Sequence, residues 1–230
     1  ARIDEANFLL SNGSCSAALE AISYLYNSPQ VDDGVRIITA SAHACSGTFN
    51  MLTLVGNLNG ASNYFSVLAK SMRNTAGDGG TAAFYRATDV LTRGGTLMAG
   101  SERSVSVNNY MVFVQLGLIG SILRNYGNPA ADGAQQANLV YDTATNPAGE
   151  MSNEDACALG AALSFITDSY SISSLSDGDT AAVNTSLNNV CVSAGIPNCG
   201  AISRNRAGCD GTNAQSDVAE AIVGGVNGSW

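Results

Sequence analysis

The stretch ERSVSVNNYMVFVQLGLIGSILRN, residues 102–125, decides the fold. Its apolar residues recur at helical spacing rather than in strict alternation. Asn108, Met111, Val112, Gln115, Ile119 and Ile122 share one face of a helix; Val107, Tyr110, Val114, Gly117 and Ser121 share the opposite one. Both faces are mostly apolar, as expected for a helix enclosed on all sides. Gly127 supplies the C-terminal stop. Gly117, Gly120 and Ser121 let neighbouring helices come close, or leave room beside them. SVSV (104–107) alternates as a strand would, but it sits beside this stronger helical pattern.

Outward from this run the chain continues in helical periods. Residues 3–11 form a short helix, and residues 14–27 carry the stripe Ala18, Leu19, Ile22, Leu25 and Tyr26 before Pro29 stops it. A third helix spans about Asp33 to His43, and another follows Gly47 through Leu58. Ser62 is placed to cap a helix holding Phe65, Leu68 and Met72. NTAGDGG (74–80) is a break, after which 81–93 resumes with Phe84, Ala87, Val90 and Leu91 and ends at Gly94-Gly95.

Downstream, Pro129 opens a helix to about Tyr141. Ser152 with Asp155 resembles a capping box, with Asp in place of Glu. The helix it starts places Ala156, Leu159, Leu163, Ile166 and Tyr170 on one face. Helices at about 179–193 and 213–224 close the chain. Between them GIPNCGAISRNRAGCDG (195–211) reads as a glycine-rich loop pinned by its two cysteines. The expected class is all-α, a single helical domain over residues 1–230.

Composition bounds the function. The chain has 230 residues, 10 Lys+Arg against 19 Asp+Glu, a net charge of −9 and a pI near 4.3. That sign is wrong for a reader of phosphate backbones, so no nucleic-acid partner is expected. Hydrophobic residues at 45% argue against disorder. Cys15, Cys45, Cys157, Cys191, Cys199 and Cys209 form an even set with no CxxC pattern, and His43 is the only histidine. This favours disulfides over zinc, with buried free thiols as the alternative. Bridges imply an oxidising compartment. A single lysine (Lys70), abundant Asn, Ser, Gly and Thr, and a start at Ala1 without Met suit an exported chain. The expected location is the periplasm or another extracytoplasmic space, with room for a lipid anchor upstream of Ala1. No stretch reaches the roughly 20 apolar residues of a bilayer span. The N-x-S/T sites at Asn12, Asn184 and Asn227 accept sugar only in a eukaryotic secretory route.

A repeat is visible near the N-terminus. Gly13 and Gly47 lie 34 residues apart, which is the tetratricopeptide period. Gly13 suits the turn of a helix pair. Ala6 and Ala40, each seven residues before its glycine, suit the tight crossing of the first helix; Ala18 suits that of the second, with Ile22 four residues on. Pro29 falls one position short of the usual proline, Leu52 stands where Ala is expected, and a third copy near Gly79-Gly80 is barely recognisable. Residues 1–60 thus resemble a tetratricopeptide-like helix array; the alternative is a general Ala-rich bundle. Cys15 at the turn and Cys45 on the neighbouring helix are placed to bridge, subject to geometry. The whole resembles the periplasmic T-component proteins that accompany TRAP transporters, and related helical subunits of bacterial lipid or sterol trafficking. That resemblance implies a helical array around a pore or apolar cavity, which binds a small hydrophobic ligand or a partner protein.

Catalytic signals are sparse. A Ser-His-Asp or Cys-His site would have to use His43, which lies in ASAHACSG with no GxSxG near it. Glu102, Glu150, Glu154, Asp155 and Asp168 are candidate paired carboxylates, but each suits a cap or a solvated surface better. Asp177 and Asp179 lack the rest of a calcium loop, and no phosphate loop occurs. No catalytic residue, metal or cofactor is expected. The positive feature is the long apolar helix. A ligand pocket is expected along it, lined by Tyr110, Met111, Phe113 and Ile119, with Asn108, Asn109 or Gln115 as polar handles. The alternative is a core helix whose one buried Gln finds a backbone partner. The expected function is non-catalytic carriage of a lipid or sterol within a transport system, alongside a transporter or membrane partner protein. The runner-up is a tetratricopeptide-like scaffold without a small-molecule ligand.

Overall fold

Short polar side chains set where the helices begin. Asp32, Asn63, Ser104, Ser152 and Asn213 each accept a hydrogen bond from the backbone N–H three residues on, which satisfies a donor the helix itself cannot. A computed structural model describes residues 2–27, 31–47, 51–58, 61–72, 79–93, 98–143, 150–175 and 178–230. Among the described residues there are ten α-helices and no strand. They are α1 (Arg2–Ser11), α2 (Cys15–Tyr26), α3 (Asp33–Ser46), α4 (Met51–Leu58), α5 (Tyr64–Ser71), α6 (Gly79–Leu91), α7 (Val105–Gly127), α8 (Asn153–Tyr170), α9 (Gly178–Ser193) and α10 (Ala214–Asn227). The all-α class read from the sequence is the class observed.

α7 is the axis. Fifteen of its 23 residues are buried, and α3, α5, α6 and α8 pack around it. By length and mean hydropathy α7 would suffice to cross a membrane; here its apolar surface is covered by protein instead. Close approach depends on Gly120, where a Cβ would lie 2.6 Å from the Leu68 carbonyl oxygen of α5. Most of the core gathers round α7 and α8. A smaller cluster of Ala6, Ile22, Val35 and Ile38 sits beneath α1, α2 and α3.

All six cysteines are paired: Cys15 with Cys45, Cys157 with Cys209, and Cys191 with Cys199. The first joins the start of α2 to the end of α3. The other two staple the 195–211 loop to α8 and α9, and their sulfurs are part of the core. Inside that loop two single 3-10 turns form, Cys199–Ala201 and Arg206–Gly208. Three bridges suit an oxidising, extracytoplasmic environment.

Several expectations are corrected. No helix runs from Pro129 to Tyr141; the chain there is a loop. Gly133 takes φ +91°, and a Cβ on it would lie 1.9 Å from the Ser66 carbonyl oxygen. The loop makes a few hydrogen bonds of its own, Gly133 N to Ala130 O and Ala130 N to Ala134 O among them, and is tied to the end of the chain by others. Asn227 accepts from Leu139 N and donates to Leu139 O, and Trp230 Nε1 donates to Gly133 O. Gly127 does not provide a left-handed stop; Asn128 does, at φ 45°. Gly127 is instead required by the Trp230 ring, which lies 2.2 Å from where its Cβ would be. Asn63, not Ser62, caps α5, because its Oδ1 reaches Ser66 N at 3.0 Å. Gly79 and Gly80, read as part of a break, begin α6. The capping box at Ser152 is half formed. Ser152 Oγ accepts from Asp155 N at 3.1 Å, while the shorter Asp155 turns its carboxylate to two tyrosines. Pro29, residues 74–78, Gly94-Gly95 and Asp177 lie outside the described residues.

Candidate ligand cavity

Four helices meet at one side of α7 and leave space. α7 contributes Val112, Phe113 and Leu116; α8 contributes Ile166 and Tyr170. Val55, Gly56 and Leu58 come from α4, and Val183 and Asn184 from α9. The cavity they line holds about 190 Å³. None of these side chains is ionisable at neutral pH. The one orphan among them is Asn184 Oδ1, a buried oxygen with no hydrogen-bond partner. The space is partly open to solvent, its lining Val55 being 46% exposed; since about 150 Å³ already seats a benzene ring, it has room for a ring or a short alkyl segment.

Of the seven residues expected to line or serve a pocket, Phe113 is the one that lines this cavity. Met111 and Ile119 are fully buried in the core and do not line this cavity. Asn108 is fully buried and spent on structure: its Oδ1 accepts from Arg103 Nε at 2.9 Å, and its Nδ2 donates to Gly100 O and Arg103 O. Asn109 exchanges hydrogen bonds with Ser174 near the surface. Tyr110 pairs with Ser41, and burial pushes its hydroxyl up to about 12. Gln115 donates from Nε2 to Thr88 Oγ1 at 2.8 Å and to Met111 Sδ. It forms the floor of a separate cleft of about 20 Å³ between Arg204 and Arg206, room for about one water.

The residues missed by sequence reasoning are those of α4 and α9, together with Val112 and Leu116. Ile166 and Tyr170 had been placed on one apolar face of α8. Nothing in the periodicity of α4 or α9 says that they meet the same side of α7.

Four of the five candidate acids, Glu102, Glu154, Asp155 and Asp168, are engaged in the architecture; the fifth, Glu150, has both carboxylate oxygens buried without a hydrogen-bond partner. Asp168 Oδ2 accepts from Gly100 N at 2.6 Å, Arg103 Nη2 at 3.0 Å and Arg204 Nη1 at 2.9 Å. Both guanidinium groups lie over the Phe165 ring, at 5.6 and 5.7 Å. Burial pulls Arg103 below its ordinary value against the opposing pull of Asp168. Asp155 accepts from the hydroxyls of Tyr85 and Tyr126. Burial and that carboxylate push Tyr126 up to about 12 and Tyr85 higher still. Arg206 holds both oxygens of Asp89 and one of Glu154, and Glu102 accepts from Ala99 N. Glu150 lies near Asp142 and Glu220. His43 is half-buried in the last turn of α3, and burial and Arg86 hold it below its usual value. Among the described residues, no three His, Cys, Asp or Glu side chains group as a metal site would require.

No protein family, curated protein or solved structure matches this chain.

Proposed function

We propose that this protein is a non-catalytic, exported carrier of a small hydrophobic molecule, held between α4, α7, α8 and α9. The observation that carries this reading is the apolar cavity of about 190 Å³. Its size bounds the ligand. A ring or the end of an acyl chain enters it, whereas the four fused rings of a sterol would extend beyond it. Carriage of a lipid or sterol therefore means capture of one end of the molecule. The engagement of Asp155, Asp168 and Arg206 in structural contacts supports a binding role over a catalytic one. The three disulfides support a periplasmic setting, where such a carrier would serve a transporter or membrane partner.

The reading is tested by titrating the protein with p-xylene, followed by ligand-observed NMR, beside native mass spectrometry for a co-purifying ligand. Gly56 is one of the lining residues, and a Cβ on it would meet no heavy atom within 4 Å, so Gly56→Leu adds bulk at the cavity wall without a clash. Saturable binding to the wild-type protein and its loss in Gly56→Leu, with the helical spectrum unchanged, is the expected result. Absence of binding to the wild-type protein, or equal binding to both, overturns the reading.

A second reading, a tetratricopeptide-like scaffold, is favoured by the N-terminal helices. Gly13 makes the α1–α2 turn at φ +71°, and Ala6, Ala18 and Ile22 are fully buried. α1 packs against both α2 and α3, while Phe8 and Tyr24 remain exposed. A photoreactive residue at position 8 should then give one discrete protein adduct in the native host; a uniform smear or no adduct ends this reading.

A further inference from the structure

The cavity has one chemical irregularity. Of the ten described residues that line it, nine present carbon or, at Tyr170, a phenol ring, and the tenth carries an amide. The Oδ1 of that side chain, Asn184, is buried and accepts no hydrogen bond. A buried acceptor without a donor loses its hydration and receives nothing in return. A donor arriving with a ligand would restore it. Among the described residues no cationic side chain lines the cavity, so an ionised carboxylate or phosphate would find no charge there to offset its desolvation. A hydrocarbon would leave the amide oxygen as it is.

We propose that the cavity is selective for a neutral, hydroxyl-bearing apolar molecule, a phenol or a medium-chain alcohol. Its apolar part lies between α7 and α8, and its O–H donates to Asn184 Oδ1 on α9. This rests on the reading of the cavity as a binding site and adds the class of ligand. The volume suits a single substituted ring, since about 150 Å³ already seats benzene and about 190 Å³ is present.

Three probes of nearly equal size separate the possibilities. p-Cresol carries a donor, 4-methylanisole carries only an acceptor, and p-xylene carries neither. Dissociation constants are measured by ligand-observed NMR for the wild-type protein and for Asn184→Leu, which keeps the side-chain shape and removes the amide. The cresol-over-ether preference of the wild-type protein should fall by about tenfold in Asn184→Leu, the size expected for one buried hydrogen bond. The p-xylene constant should stay the same or improve. Because the orphan oxygen is removed, the variant should melt no lower than the wild-type protein. Asn184→Ala repeats the comparison should leucine disturb the packing.

An unchanged cresol-over-ether preference in both variants, with p-xylene bound by all three proteins, overturns the hydroxyl proposal and leaves the apolar carrier intact. So does a wild-type protein that favours the ether, which would mean that the amide N–H₂ faces the cavity. If none of the three probes binds the wild-type protein, the carrier reading falls as well.

Discussion

Replacing Arg103 by methionine keeps an unbranched apolar stem and removes every donor of the guanidinium. The Arg103 side chain has no exposed surface, while Asp168 and Arg204 are each 20% exposed. Loss of the guanidinium leaves Asp168 with Gly100 N and Arg204, so its charge is still compensated. Asn108 Oδ1, fully buried, loses the Arg103 donor, and Ser169 Oγ loses a partner. Breaking a buried ion pair outright costs about 3–5 kcal/mol. With Asp168 still paired, the expected loss is at the low end, about 3 kcal/mol, most of it from the stranded Asn108 oxygen. For a chain of this length that corresponds to a melting point lower by about 6–12 °C.

Arg204→Met is the control. Arg204 shares both of its acceptors, Asp168 Oδ2 and Met98 O, with Arg103, and it is partly solvated, so its loss should cost about 1 kcal/mol or less. The double variant should lose more than the sum, because Asp168 then keeps only Gly100 N. The assay is urea unfolding followed by far-UV circular dichroism with the disulfides intact, at constant slope. Equal losses from the two single variants, or a loss below about 1 kcal/mol for Arg103→Met, would refute the argument that buried polar satisfaction, and not charge pairing alone, sets the cost.

Gly133→Ala should lose at least about 2 kcal/mol. A non-glycine residue in a left-handed conformation costs about 1–2 kcal/mol by itself, and the added Cβ would strike the Ser66 carbonyl; a melting curve superimposable on the wild type would contradict this. Removing Cys157–Cys209, which closes 52 residues, should cost about 4 kcal/mol, and removing Cys191–Cys199, which closes 8, about 2.5 kcal/mol. The reverse order in paired Cys→Ala variants would show that chain entropy does not govern these bridges. His43 is held below its ordinary value of 6.5 in the fold, so the unfolded chain takes up its proton first as pH falls. Stability from this group is therefore present above about pH 6.5 and declines below it. His43→Gln should flatten that decline between pH 7 and 5, and an unchanged slope would remove His43 as its source.

How much was legible in the residues depends on how local the governing force is. Helix existence is local: the 3.6-residue stripe of α2 and α8 and the near-continuous apolar run of α7 specify helices and their buried faces without reference to anything distant. So does the cap of Ser152, which acts within three residues; Asp32 and Ser104 cap their helices over the same short range. The bridge between Cys15 and Cys45 was legible because a turn and a neighbouring helix place both ends. The segment after Pro129 was misread because its reason is remote. Gly133 packs against the carbonyl of Ser66, where a Cβ would not fit; Trp230 donates to the Gly133 carbonyl, and Asn227 pairs with the backbone of Leu139, each about ninety residues or more further on.

The pocket residues divide in the same way. The chain itself determined that α7 would be central and that its polar side chains would need partners. Which partners was decided by packing: Asn108 went to Arg103, and Gln115 to Thr88. The side of α7 left open was decided by where α4 and α9 come to rest, a matter of how side chains of different volume fill the space between helices. An amphipathic pattern states which face is buried. Only the assembled tertiary structure states where burial is incomplete, because a cavity is a property of no single helix.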